Sequence, residues 1–117
     1  MARNIFGTQL IECSKKPLTG FYRDGICNTG TNDFGTHTVC AIMSEDFLRY
    51  SFDQGNDLIT PVPQYMFPGL GPGDRWCLCA LRWKEAFDAG VAPKIIPEAT
   101  HENTLEIVSL QDLLKHV

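Results

Sequence analysis

The chain of 117 residues, 44% hydrophobic and 21% charged, suits one independently folding domain spanning 1–117 and excludes disorder as its main state. A formal charge of −4, with the basic residues scattered apart from Lys15-Lys16, argues against a nucleic-acid partner, which needs clustered cations to neutralise phosphates. No apolar run approaches the roughly 20 residues of a membrane-spanning helix, and residues 1–12 are interrupted by Arg3, Asn4 and Gln9, so a cytoplasmic setting without a membrane partner is expected.

The first third is rich in turn formers: Pro17, Gly20, Asp24-Gly25, Asn28-Thr29-Gly30 and Asn32-Asp33. Phe21 and Tyr22 within this run predict an ordered coil anchored to the core. The clearest strand is His37 to Met43, five consecutive apolar residues bounded by Gly35 and Ser44. Ser44 then reads as the N-cap of a helix running to about Gln54, with Glu45 and Asp46 complementing the helix dipole and Gly55 closing it.

Residues 56–73 hold four prolines and three glycines, so no regular element is expected there. The apolar Ile59, Val62, Tyr65, Met66, Phe67 and Leu70 make this a loop packed on the domain and not a linker. Asp74 to Ala89 follows Gly73, lacks β-branched residues and meets Gly90. Trp76, Cys79, Ala80, Trp83 and Phe87 recur at helical spacing, which predicts one amphipathic core helix. Lys94 to Ala99 and Thr104 to Val108 read as strands joined in a hairpin through residues 100–103. Ser109 caps a short last helix whose apolar face is Leu110, Leu113, Leu114 and Val117.

The segment GLGPGD, residues 69–74, does not read as a phosphate loop. Pro72 lacks an amide donor, and the Asp74 carboxylate would repel an anion. The first-loop carboxylates and amides do not follow a calcium-loop pattern. The number of cysteines is odd, at five, and reduced, mainly structural thiols are expected. On a helix Cys77 and Cys79 would point about 200° apart and could not share a metal, whereas on a strand both sulfurs would face one way. A zinc set drawn from Cys13, Cys27, Cys40, His37 and His101 lacks the paired short spacings of structural zinc sites, so no metal ligand is assigned.

Cys77, near the start of the expected core helix, and Cys40 are the candidate nucleophiles, with His37 or His101 as base. The plainer reading of Cys77 is a thiol half-buried beside Trp76. His101, in the turn ATHENT, is expected to be exposed and able to titrate near neutrality, or else to bond its own loop. Arg23 and Arg75 could each grip an anion.

The segments PLTGFYRDGICNTG (17–30), GTHTVCA (35–41), GNDLITP (55–61), FPGLGPGDRWCLCALRWKEA (67–86), GVAPKIIPEATHE (90–102) and SLQDLLK (109–115) closely resemble the domain-of-unknown-function family 2237, found in bacteria and plants. Asn4-Ile-Phe-Gly7 departs modestly from the family's usual Asn-Val-Leu-Gly. The resemblance implies a compact α+β domain and carries over no catalytic residue.

The expectation is therefore an α+β fold, a small sheet on a central amphipathic helix with long ordered loops. The function expected is a binding or interaction module for a small molecule or protein, with no cofactor indicated. Its crevice should lie between the 23–33 loop, the 55–73 loop and the start of the core helix, lined by Arg23, Asp57, Arg75, Trp76 and His101. The alternatives are a thiol or imidazole enzyme and a metal-binding protein.

Overall fold

Val39, Cys40 and Ala41 are fully buried because they occupy β1 (His37–Ile42), the middle strand of a sheet covered on both faces. The computed structural model describes residues 2–117. Among these, the fold is α+β, with three strands, all antiparallel, in the order β2 (Arg75–Cys79), β1, β3 (Lys94–Ile95).

The Ser44 hydroxyl accepts the Phe47 amide at 3.1 Å and starts α1 (Glu45–Asp53). Beyond Gly55, at φ 89°, the chain runs through a loop with one short 3-10 turn at Pro63–Tyr65. Leu58, Phe67 and Leu70 are buried, so this loop packs on the core as its apolar residues predict.

The expected helix over 74–89 is a correction. Arg75–Cys79 forms β2 and only Ala80–Asp88 is helical, as α2. Asp74 does not cap a helix; its carboxylate turns back to accept the Gly71 amide at 2.9 Å. The amides of Met43 and Gly73 bond across to Asp74 and Met43 carbonyls at 2.8 Å each, which prolongs the β1–β2 ladder. Trp76, Cys77 and Leu78 are all buried. A short run buried on both faces has no alternation to tell it from a helix, and sheet pairing with β1 decides the matter.

The expected hairpin is also absent. The strand β3 spans only Lys94–Ile95, because Pro97 opens a 3-10 turn at Pro97–Ala99 and His101 opens another at Glu102–Glu106. Ser109 caps α3 (Leu110–Leu113), its hydroxyl accepting the Asp112 amide at 3.1 Å.

The two faces of the sheet bury different chemistry. On one, Val39, Ala41, Trp76 and Leu78 join Phe47, Trp83 and Ala86 from the helices in an apolar core. The Trp83 indole N–H donates to the Pro93 carbonyl at 3.0 Å, leaving no buried donor there unpaired. On the other face Cys40 and Cys77, register partners on β1 and β2, meet Cys13 and Cys27. The N-terminal coil closes over this sulfur layer and over the outer edge of β2, where the Cys77 amide donates to Thr19 Oγ1 at 2.8 Å. No helix among the described residues is long and apolar enough to cross a membrane.

Thr19 is fully buried, so Thr19→Val leaves the Cys77 amide without a partner. The expected loss is about 1–3 kcal/mol of stability, read as a lower urea midpoint with an unchanged slope.

Candidate functional site

Four of the five cysteines are paired, as Cys13–Cys40 and Cys27–Cys77, and Cys79 is the free one. This corrects the expectation of reduced thiols. It also removes Cys77 and Cys40 as candidate nucleophiles, since a bridged sulfur has no thiolate to offer. The sulfurs of Cys13, Cys27 and Cys77 lie within 4.8 Å of one another, but their bridges occupy them. The Cys27–Cys77 bridge fastens the 17–30 coil to β2, and between that coil and the 56–67 loop lies a pocket.

The pocket has a volume of about 510 Å³. Gly20, Phe21 and Arg23 form one wall, and Asn56, Asp57, Leu58, Val62, Tyr65 and Phe67 the other. Trp76, Cys77 and His37 from the sheet form its base. Phe67 meets Trp76 edge to face at 5.1 Å between centroids, so the lining is largely aromatic with a few polar groups, the usual make-up of a small-molecule site.

Arg23 is the unusual member. Its backbone is left-handed at φ 54°, a conformation that costs a non-glycine residue roughly 1–3 kcal/mol and that clusters at functional sites. That bend lays the guanidinium over the Trp76 ring, 5.0 Å from its centroid. Nη1 donates to the Gly20 carbonyl at 2.6 Å and Nη2 to the Tyr65 carbonyl at 3.2 Å, which joins the two walls. The Nε–H is buried without a partner. Among the described residues no carboxylate pairs with Arg23, and burial lowers its pKa from the ordinary value.

His37 is held quite differently. Its Nδ1 lies 2.6 Å from Asp33 Oδ1, and the other Asp33 oxygen accepts the His37 amide at 2.9 Å and the Thr29 hydroxyl at 3.0 Å. Desolvation raises the Asp33 pKa, but the bonds from His37 and Thr29 outweigh it and hold the carboxyl below its usual value. Asp33 looked like a turn former in the sequence. The signal was available as an Asp and a His four residues apart around Gly35.

Of the five residues expected to line a crevice, Arg23, Asp57 and Trp76 share this pocket. Arg75 is exposed outside it. Asp57 sits at the rim, with its carboxylate turned to its own loop. Hydrogen bonds from Thr60 and from the Ile59 amide hold its pKa below the ordinary value.

His101 is a second correction: it is buried, at 8% exposure, and does not line the pocket. Its Nδ1 accepts the Asn103 amide at 3.0 Å, the loop-bonding role that the sequence left open, and its own amide donates to the Thr38 carbonyl at 2.9 Å. Desolvation lowers the His101 pKa below 6.5, against the opposing charges of Glu102 and Glu106. A lowered folded-state value means that the unfolded chain takes up the proton first on acidification. This contribution to stability is therefore present at neutral pH and lost as pH falls below about 6.5. Urea midpoints between pH 7.5 and 5 should fall in the parent and fall less in His101→Asn, which can keep the acceptor for Asn103.

A comparison with curated proteins gives no match. A family model described as "Uncharacterized protein conserved in bacteria (DUF2237)" matches residues 3–117. With essentially the whole chain aligned to it, the protein belongs to the DUF2237 family.

Proposed function

We propose that the protein is a small-molecule-binding domain whose pocket takes a compact organic anion with an apolar or aromatic body. The observation that carries this reading is the half-buried Arg23 guanidinium in the pocket, with no carboxylate partner among the described residues and a buried, unpaired Nε–H. A buried donor left unpaired costs about 1–3 kcal/mol. A carboxylate or phosphate entering beside Trp76 would accept that bond and supply the counter-charge. The aromatic groups Phe21, Phe67 and Trp76 would cover the apolar body of such a ligand. Asp57 does not oppose this, because its carboxylate is solvated at the rim and engaged by Thr60 and Ile59.

Titration calorimetry with phenyl phosphate and benzoate, against neutral benzyl alcohol, tests the reading. The anions are expected to bind and the alcohol not to. Arg23→Met should weaken the anions by about 1.5–3 kcal/mol, or roughly 10- to 150-fold. Equal affinity for the alcohol would remove the proposal.

The cytoplasmic setting is a proposal too, and it has a condition. Cytoplasmic thiols are kept reduced, so the bridges would persist there only through burial of all four sulfurs, none more than 3% exposed at the residue level. Alkylation at the moment of lysis, followed by mass mapping, is expected to label Cys79 alone. Labelling of all five cysteines would show that the reduced chain is the cellular form.

A further inference from the structure

We propose that Cys79, His37 and Asp33 form a thiol–imidazole–carboxylate unit that transfers acyl groups from small esters or thioesters carrying an anionic group. The choice of an anionic substrate rests on the pocket reading above; the nucleophilic unit does not.

The sheet register sets Cys79 across the ladder from His37. His37 and Cys79 are register partners on β1 and β2. The Ala80 amide donates to the Thr36 carbonyl at 3.0 Å, which brackets the two residues as a non-hydrogen-bonded pair. In such pairs the side chains share a face with Cβ atoms about 4.5–5.5 Å apart. A register irregularity lies between His37 and Val39, the kind of kink that re-aims a side chain beside an active site. Both His37 and Cys79 line a recess of about 190 Å³, which shares His37, Asn56, Leu58 and Trp76 with the Arg23 pocket. A substrate anchored at Arg23 would thus have its far end at this recess.

The imidazole is set for proton transfer and not merely for closing a turn. Asp33, whose side chain is wholly buried, fixes Nδ1 and so selects the ring orientation and tautomer. The Nε2 atom is left without a partner among the described residues, on a side chain 40% exposed. The ring stacks near Phe21, with 6.4 Å between centroids, and lies against Gly35. A Cβ at residue 35 would come within 2.5 Å of the His37 ring carbon Cε1, so only glycine admits the ring there. Thr36, just before His37, is left-handed at φ 49°, a strained setting for a β-branched residue. A turn needs only the bond from the His37 amide to Asp33; the clamped ring beside a free thiol goes beyond that need.

In the acyl step the Cys79 sulfur bonds to the substrate carbonyl carbon as its proton passes to His37 Nε2. The bond from that carbon to the leaving oxygen or sulfur breaks, and the leaving atom takes the proton from His37. Water then adds through its oxygen to the acyl carbon as His37 takes one of its protons; the carbon–sulfur bond breaks, the carboxylic acid leaves, and the sulfur recovers the proton from His37. Asp33 is a positioning residue that steadies the imidazolium between the two transfers.

Neutral p-nitrophenyl acetate tests the unit independently of Arg23. On protein with both bridges intact, a stoichiometric burst of nitrophenolate is expected, with mass mapping placing the acetyl group on Cys79 and Cys79→Ser giving no burst. His37→Gln should slow the burst about a hundredfold, while thiol titration in denaturant still finds the free cysteine. Asp33→Asn should slow it as well and displace its pH profile, an effect that loss of packing alone would not give. Equal burst rates in His37→Gln and the parent, or acetylation away from Cys79, would overturn the proposal. If the His37 dependence holds while Arg23→Met leaves phenyl phosphate affinity unaltered in calorimetry, the anion pocket falls and the nucleophilic unit stands; the reverse pair of results removes the unit alone.

Discussion

The antiparallel pairing of β1 with β2 is the constraint on which the rest of the structure depends. Because side chains alternate across a strand, that pairing sorts the two strands into an apolar face and a sulfur face. It sets Cys40 beside Cys77 and His37 beside Cys79. A slip of one residue would send Trp76 and Leu78 to the sulfur layer and the sulfurs into the helical core. The pairing also leaves the outer edge of β2 free of a strand neighbour, and the N-terminal coil occupies it through Thr19. A segment with almost no regular structure of its own is thereby fixed to the most rigid part of the molecule.

The pocket owes its character to two polar groups treated in opposite ways. Asp33 is buried and its oxygens accept three hydrogen bonds, from the His37 ring, the His37 amide and Thr29. Arg23 is partly buried and keeps an unmatched donor. A low-dielectric site strengthens a satisfied network and penalises an unsatisfied one. The fold thus invests Asp33 in geometry, orienting an imidazole, and leaves Arg23 with an electrostatic deficit.

Much of the fold was legible in the residues. The strand at His37, the Ser44 and Ser109 caps and the packed proline-rich loop all follow from local chemistry acting over a few positions. The stretch from Arg75 to Cys79 was not, because burial on both faces removes the periodicity that separates a strand from a helix. Lys94 to Val108 misled for another reason: Pro97 and His101 start tight turns inside segments whose composition suits strands. For the site, Arg23, Asp57 and Trp76 could be named because loops beside an aromatic residue are where ligands dock. Asp33 and Cys79 are masked by their surroundings in the sequence. One had the look of a turn residue, and the other was assigned to a helix on which it would have pointed away from Cys77. Cysteine pairing depends on contacts between residues 27 and 50 positions apart, which no local pattern contains.

The Cys27–Cys77 bridge has a mechanical consequence for traffic through the pocket. It welds one wall to the base, so that wall cannot hinge outward to admit a guest. The opposing wall, residues 56–67, carries no covalent tie and is held to Arg23 by a single hydrogen bond from Nη2 to the Tyr65 carbonyl. The two walls thus differ in their attachment: one is bound covalently to the base, while the other rests on the packing of Leu58 and Phe67 and on that bond at Tyr65.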